Sequence, residues 1–139
     1  MAEPDMAEIN RNVIETVRAG GEPPGMNRDR LLLLTTTGAR TGRERTTPMM
    51  VVPDGERWLV LASNAGNPRT PDWYANLVAH PDVVVEVGDE RLDATATPLE
   101  GEERGRAWTH VLEVAPFFAK HQEQAGRQIP VVALTRRTG

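Results

Sequence analysis

The segment Leu31–Val52, LLLLTTTGARTGRERTTPMMVV, contains the main fold signal of this chain. Residues 31–37 run from leucines into threonines, which is typical of a buried strand. Gly38 and Gly42 enclose a short turn, and a second strand is predicted over about 44–52. The segment therefore predicts two strands joined by a tight reversal.

The rest of the chain continues this pattern. Asp54-Gly55 is a hairpin signal before a strand over about 58–62, and Gly88-Asp89 separates strands over 83–87 and 91–97. Helices are predicted over about 5–19 (amphipathic), 71–79, 102–114 and 117–126, and a last strand over 129–135. About six strands in hairpins, without βαβ alternation, predict a mainly β (α+β) fold. We expect an antiparallel barrel or sheet with flanking helices, in one domain over 1–139.

Composition excludes several classes of function. The 139 residues include no cysteine, which excludes disulfides, thiol nucleophiles and Cys-ligated metals. Sixteen basic against twenty acidic residues give a net charge of −4, so nucleic-acid binding is not expected. No metal site is expected either, because His80, His110 and His121 match no local ligand spacing. Without a transmembrane or signal segment the chain is expected in the cytoplasm, although its N-terminal helix could contact a membrane surface.

Three arginines lie in or just after the glycine turn. Arg43 and Arg45 are two residues apart on an extended segment, so they are predicted to share one face. With Arg40 and the backbone N–H groups of the turn, they could hold a polyanionic group through charge-assisted hydrogen bonds. The alternative is an ordinary hairpin with solvated arginines. The segment is neither an NTPase phosphate loop nor a dinucleotide fingerprint, since no Gly-Lys-Ser/Thr follows and no helix begins there.

Two other segments carry candidate site residues. Ala62-Ser63-Asn64-Ala65-Gly66 follows a predicted strand, where small residues would let the backbone approach a flat ligand and Ser63 could donate to a ring carbonyl. His121 follows Phe117 and Phe118, and an imidazole beside aromatic rings could line a pocket. We predict that Phe117, Phe118 and His121 form a lid over the ligand, and the alternative is that Phe118 is a core residue.

Motifs along nearly the whole chain resemble, in order and spacing, one known family. They are Asn12-Val13-Ile14-Glu15, Leu33-Leu34-Thr35-Thr36-Thr37-Gly38, Arg40-Thr41-Gly42, Arg45-Thr46-Thr47-Pro48, Ala62-Ser63, Pro71-Asp72-Trp73-Tyr74-Ala75-Asn76-Leu77, His80-Pro81-Asp82-Val83 and Ile129-Pro130-Val131-Val132. This series resembles the deazaflavin-dependent nitroreductase and quinone reductase family, which uses coenzyme F-420. The resemblance implies a split β-barrel, similar to that of flavin-mononucleotide-binding oxidoreductases. It also implies an enzyme that passes a hydride from reduced coenzyme F-420 to a quinone, an enone or a nitro compound.

The resemblance also implies roles for individual residues. The coenzyme's phosphate and oligoglutamate tail would bind at Arg40, Thr41, Arg43, Arg45, Thr47 and Pro48. The deazaflavin ring would lie beside Ala62, Ser63, Asn64 and Ala65, with Met49, Trp73 and Asn76 nearby. The acceptor would bind against Met50, Trp73, Phe117, Phe118 and His121. Ser63 and His121 are the candidate catalytic proton donors, with water as the alternative.

Several questions stay open at the level of sequence. Asn64 and Met50 stand where the better-known nitroreductases carry a lysine and a tyrosine, so no nitroimidazole activity is assigned. A carrier that binds the coenzyme without catalysis is one alternative function. A split-barrel protein that binds flavin mononucleotide or a tetrapyrrole is another. The chain is expected to be a monomer or a homodimer, without a nucleic-acid partner.

Overall fold

The computed structural model describes residues 6–23, 30–63 and 70–137, and these form seven strands and four helices. The strands are β1 (Leu31–Thr37), β2 (Glu44–Met50), β3 (Val52–Asp54), β4 (Arg57–Leu61), β5 (Asp82–Val87), β6 (Glu90–Pro98) and β7 (Val131–Arg136). The helices are α1 (Met6–Arg18), α2 (Asp72–Ala79), α3 (Gly101–Val114) and α4 (Phe117–Ala125). Most elements therefore begin and end close to their predicted bounds.

The seven strands form one antiparallel sheet in the order β2-β1-β5-β6-β7-β4-β3. The two edge strands, β2 and β3, are separated in sequence by Val51 alone. Since consecutive Cα atoms are 3.8 Å apart, Met50 and Val52 lie within about 7.6 Å of each other. The sheet must therefore curl until its two edges approach, which gives the half-barrel. The prediction of an antiparallel split β-barrel with flanking helices is confirmed.

The predicted strand over 44–52 is wrong in one respect, because the chain forms two strands there. Residues 44–50 pair with β1, with Met50 opposite Leu31, whereas Val52 lies opposite Leu59 of β4. The backbone N–H of Val51 donates to the carbonyl of Arg30 (2.9 Å), at the point where the partner changes. Among the described residues the strand count is thus seven rather than about six.

The leucine run of β1 is buried on both faces of the sheet. Leu32 and Leu34 lie in the main core with residues of β5, β6 and β7, and Leu77 of α2 covers this core. Leu33 points to the other face and packs against Val13 and Val17 of α1. A strand covered on both faces favours a continuous apolar run over an alternating one.

Helix α1 thus places its apolar face on the sheet. Its last residue, Arg18, donates two hydrogen bonds to the carboxylate of Glu86 on β5, at 2.9 and 2.7 Å. This bonding raises the pKa of Arg18. No helix in the described part of the chain is long and apolar enough to cross a membrane.

A second core lies between the sheet and helices α3 and α4. It contains Val111 of α3, Phe118 of α4 and Ile129, which packs beside the start of β7. Phe118 is therefore a core residue, with only 5% of its surface exposed. The rest of α4 is positioned by this packing.

Candidate active site

The turn between β1 and β2 is held in one shape by its two glycines. The N–H of Gly38 donates to the carbonyl of Arg43 (2.8 Å), and the N–H of Gly42 donates to the carbonyl of Gly38 (3.0 Å). Gly42 has φ +70°, in the left-handed region that favours glycine. A Cβ at position 38 would lie 2.6 Å from Oγ1 of Thr41 and 3.2 Å from the carbonyl oxygen of Arg43, so a larger residue would force the Thr41 hydroxyl to move and would crowd the turn.

Asn76 of α2 attaches this turn to the rest of the molecule. Its Oδ1 accepts a hydrogen bond from the backbone N–H of Ala39 (3.0 Å), and its Nδ2 donates to Oγ1 of Thr36 (3.4 Å). Thr36 is buried, with 1% of its surface exposed. The amide of Asn76 therefore connects the tip of the turn with the end of β1.

A cleft of about 480 Å³, here called the arginine cleft, opens beside the turn. Its lining residues are Gly38, Ala39, Arg40, Thr41, Arg43, Arg45, Asp72, Ala75 and Asn76. The three arginines are exposed, and no ion pair within the described ranges involves them. Asp72 is the one carboxylate among the described lining residues. The excess of guanidinium groups suits the cleft to an anionic ligand.

A second cleft of about 390 Å³, here called the apolar cleft, lies next along β2. Its lining residues are Pro48, Met49, Met50, Leu61, Ser63, Pro71, Trp73, Phe117, Phe118 and His121. The structure thus brings together all five residues predicted to contact the acceptor, and both candidate proton donors. Of the other predicted residues, Thr47 lies in a groove against α1, Ala62 is fully buried, and Asn64 and Ala65 lie outside the described residues.

The two clefts share their framework. Strand β2 contributes Arg45 to the arginine cleft and Met49 to the apolar cleft, four residues and about 13 Å further along. Helix α2 contributes Asn76 to the first cleft and Trp73 to the second. The two binding surfaces are therefore adjacent.

The apolar cleft has an aromatic wall on α4. The rings of Phe117 and Phe118 lie 4.6 Å apart between centroids, and the His121 ring stands edge-on to both, at 5.5 and 5.6 Å. Phe117 is 47% exposed, so it is accessible at the cleft, in contrast to Phe118. The Nδ1 atom of His121 is buried and has no hydrogen-bond partner within the part of the chain that the structure describes.

The sequence reasoning missed one residue behind the apolar cleft, Arg127. Its Nη2 donates to the backbone carbonyls of Ala62 (3.0 Å) and Ser63 (3.3 Å), where β4 ends. A single arginine after a glycine carries no local signal for a contact this distant in sequence. Among the described residues, no group of His, Asp or Glu side chains could hold a metal ion.

Comparison with known proteins agrees with these features. The family model of the F420H(2)-dependent quinone reductase matches residues 9–136. An F420H(2)-dependent quinone reductase of Mycobacterium tuberculosis is 43% identical over 123 residues, which cover 86% of this chain and 78% of that protein. The solved structure of an F420-H2 dependent reductase (FDR-A) is 42% identical, with a TM-score of 0.70 over 76% of this chain and 93% of the other. A chain described as a domain-swapped dimer is 36% identical, with a TM-score of 0.73 over 92% and 94% of the two chains. This chain belongs to the F420H(2)-dependent quinone reductase family.

Proposed function

We propose that this chain transfers a hydride from reduced coenzyme F-420 to a quinone, or to another small electron-poor acceptor such as an enone or a nitro compound. Family membership makes the chain an oxidoreductase that uses coenzyme F-420. The observation that carries the proposal is the adjacency of the arginine cleft and the apolar cleft along β2 and α2. A ligand with an anionic tail and a flat ring could occupy both.

The residues of the arginine cleft fit the coenzyme's phosphate and oligoglutamate tail. Arg40, Arg43 and Arg45 supply fixed positive charge and forked N–H donors, which match phosphate and carboxylate oxygens. Asn76 holds the tip of the turn beside Arg40, so the backbone there requires little rearrangement on binding. We therefore assign the tail to this cleft.

The apolar cleft fits the ring and the acceptor. When bound, the reduced coenzyme supplies the hydride, so the protein needs no nucleophile of its own. The side chains of Met49, Met50, Trp73 and Phe117 can exclude water and hold a flat conjugated acceptor against the ring. Hydride transfer requires the reacting atoms to approach to about 3–3.5 Å, and the walls of the cleft would enforce that approach.

We assign delivery of the accompanying proton to His121. Its buried Nδ1 has no partner in the described residues, and a buried polar atom left without one costs about 1–3 kcal/mol. The imidazole lines the cleft and no partner among the described residues fixes Nδ1, so the ring could turn a N–H toward an acceptor oxygen and deliver the proton. Ser63, 8% exposed in the same cleft, is the second candidate donor.

The proposed function is tested by anaerobic turnover of reduced coenzyme F-420 with a panel of quinones, enones and nitro compounds. We expect the absorbance of the reduced coenzyme to disappear at a rate that saturates with a quinone. Coenzyme binding without turnover of any acceptor would instead indicate a carrier. Tighter binding of flavin mononucleotide than of coenzyme F-420 would contradict the assignment of the arginine cleft.

The role of His121 is tested with His121→Gln, and exposed His80→Gln serves as the matched control. General acid catalysis typically contributes about 10²–10⁴-fold, so we expect kcat to fall by about 100-fold in the first variant only. An unchanged kcat in His121→Gln would favour Ser63 or water as the proton donor.

We further propose that the chain forms a homodimer. The support is the relative described as a domain-swapped dimer, which is 36% identical and covers almost the whole chain. Light scattering coupled to size-exclusion chromatography should give twice the mass of one chain. A mass of one chain across the accessible concentrations would contradict the proposal.

A further inference from the structure

We infer that Arg127 is a positioning residue for the reaction, which orients the Ala62–Ser63 segment at the apolar cleft and holds a positive charge behind it. The inference rests on the proposed function, because the apolar cleft is taken as the place where the acceptor is reduced. It concerns a residue that lines neither cleft.

Arg127 is placed by the end of α4. The helix terminates at Gly126, whose φ of +64° reverses the chain and whose N–H donates to the carbonyls of Gln122 and Glu123. Arg127 comes directly afterwards and is half-buried, so its side chain runs back toward the end of β4. There its Nη2 donates to the carbonyl of Ala62 at 3.0 Å and to that of Ser63 at 3.3 Å.

The backbone of Ala62 is consequently held from two directions. Its N–H donates to the carbonyl of Pro130 (3.0 Å), and its carbonyl accepts from Arg127. Because a peptide unit is planar, fixing the carbonyl of Ala62 also fixes the N–H of Ser63. Ala62 is fully buried and Ser63 is 8% exposed, so little water is available to replace either bond. The orientation of Ser63 toward the cleft therefore depends on the guanidinium.

The charge of Arg127 has a second effect. An acceptor that gains a hydride from the reduced coenzyme, which is thereby oxidised, carries a negative charge until a proton arrives. A guanidinium stays protonated throughout, and in a half-buried position its charge is weakly screened. Arg127 can thus stabilise the charge that develops in the cleft without contacting the acceptor.

Arg104 provides a matched control in the same region. Its Nη2 donates to the carbonyl of Ile129 (2.6 Å) and to Oε1 of Gln122 (3.2 Å), and its guanidinium lies over the Trp108 ring at 5.1 Å. Burial lowers the pKa of Arg104. This arginine holds the same segment between α4 and β7, but none of the hydrogen bonds seen among the described residues joins it to Ala62 or Ser63. If Arg127 only stabilised the segment between α4 and β7, replacing Arg104 should have the same effects as replacing Arg127.

The experiment compares Arg127→Met, Arg127→Lys and Arg104→Met with the original chain. Hydrogen exchange at the Ala62 and Ser63 amides is measured in the coenzyme-free protein, alongside Tm, coenzyme Kd, and kcat and KM for a quinone. We expect Arg127→Met to speed exchange at Ser63 and to lower kcat, each by about tenfold, as for one lost charge-assisted hydrogen bond. Coenzyme Kd should change by less than about threefold, since the three arginines assigned to the tail are unaltered and only the ring lies at Ser63. Arg127→Lys, which keeps the charge but not the fork, should be intermediate.

Arg104→Met is expected to lower Tm while leaving Ser63 exchange and kcat near their original values. The inference is overturned if Arg127→Met leaves exchange and kcat unchanged, or if Arg104→Met reproduces both losses. If Arg127→Met does not fold, Arg127→Lys decides by the same readouts. If the original chain reduces no acceptor, the proposed function is contradicted. The hydrogen-exchange measurement does not depend on turnover, so it still decides whether Arg127 orients Ser63.

Discussion

Replacing Arg45 with alanine tests whether the arginine cleft binds the coenzyme tail. Arg45 lies on the edge strand β2, opposite Thr36, and its side chain is exposed. The substitution removes no core contact, so the free energy of unfolding should change by no more than about 0.5 kcal/mol. A change in coenzyme affinity can then be attributed to the lost guanidinium.

The expected magnitude follows from the exposure of Arg45. A hydrogen bond to a charged group contributes about 1.5–3 kcal/mol, whereas a fully solvated ion pair contributes about 0.2–1 kcal/mol. Arg45 is exposed yet lines a cleft, which places its contribution between these ranges, at about 1.4 kcal/mol. Such a contribution corresponds to about a tenfold increase in Kd.

The assay is a fluorescence titration of the coenzyme at about 0.05 M and about 0.5 M salt, since salt screens exposed charges. Affinity of the original chain should fall with salt, and that of Arg45→Ala should fall less. Arg91→Ala is the control, because Arg91 is also exposed but lies on β6, opposite Glu86 and outside the arginine cleft. An unchanged Kd for Arg45→Ala at low salt, or an equal loss in Arg91→Ala, would refute the assignment.

Three further predictions concern the two clefts. Phe118→Ala should cost about 3–5 kcal/mol of stability, measured by thermal unfolding, because the ring is buried in the second core. Phe117→Ala should change mainly KM for the acceptor, because Phe117 is exposed at the apolar cleft. Equal losses of Tm in the two variants would contradict this distinction. Asn76→Ala should raise coenzyme Kd and lower Tm, because the N–H of Ala39 loses its hydrogen-bond acceptor and the hydroxyl of Thr36 loses its donor. The prediction is wrong if calorimetry shows no change in Tm and titration shows no change in Kd. Flavin mononucleotide should bind much more weakly than coenzyme F-420, since its single phosphate cannot reach all three arginines; copurification of yellow flavin would count against this.

Much of the fold could be predicted because its signals are local. The glycine turn, the two other hairpins and the helices each carry their own turn residues or apolar spacing, and all were found close to their predicted bounds. The break at Val51 could not be predicted in this way. Val51 is itself neither glycine nor proline, and the observed change there is one of partner strand.

The site shows the same division. The arginines were found because they share one short segment, and the aromatic wall because Phe117, Phe118 and His121 follow one another on α4. Arg127 was missed because its partners are backbone carbonyls, which any residue possesses. The prediction of site residues was limited by the distance in sequence between Arg127 and its partners, Ala62 and Ser63.

The position of β7 has a consequence for the synthesis of this protein. It is the last of the seven strands to leave the ribosome, yet it pairs with β6 on one side and with β4 on the other. Until it emerges, the nascent chain carries two strands with unpaired backbone groups, which readily recruit other chains. We expect nascent chains arrested before Val131 to depend on chaperones and to be cleared by proteases. Synthesis of β7 would thus be the step after which the polypeptide can complete its sheet and fold.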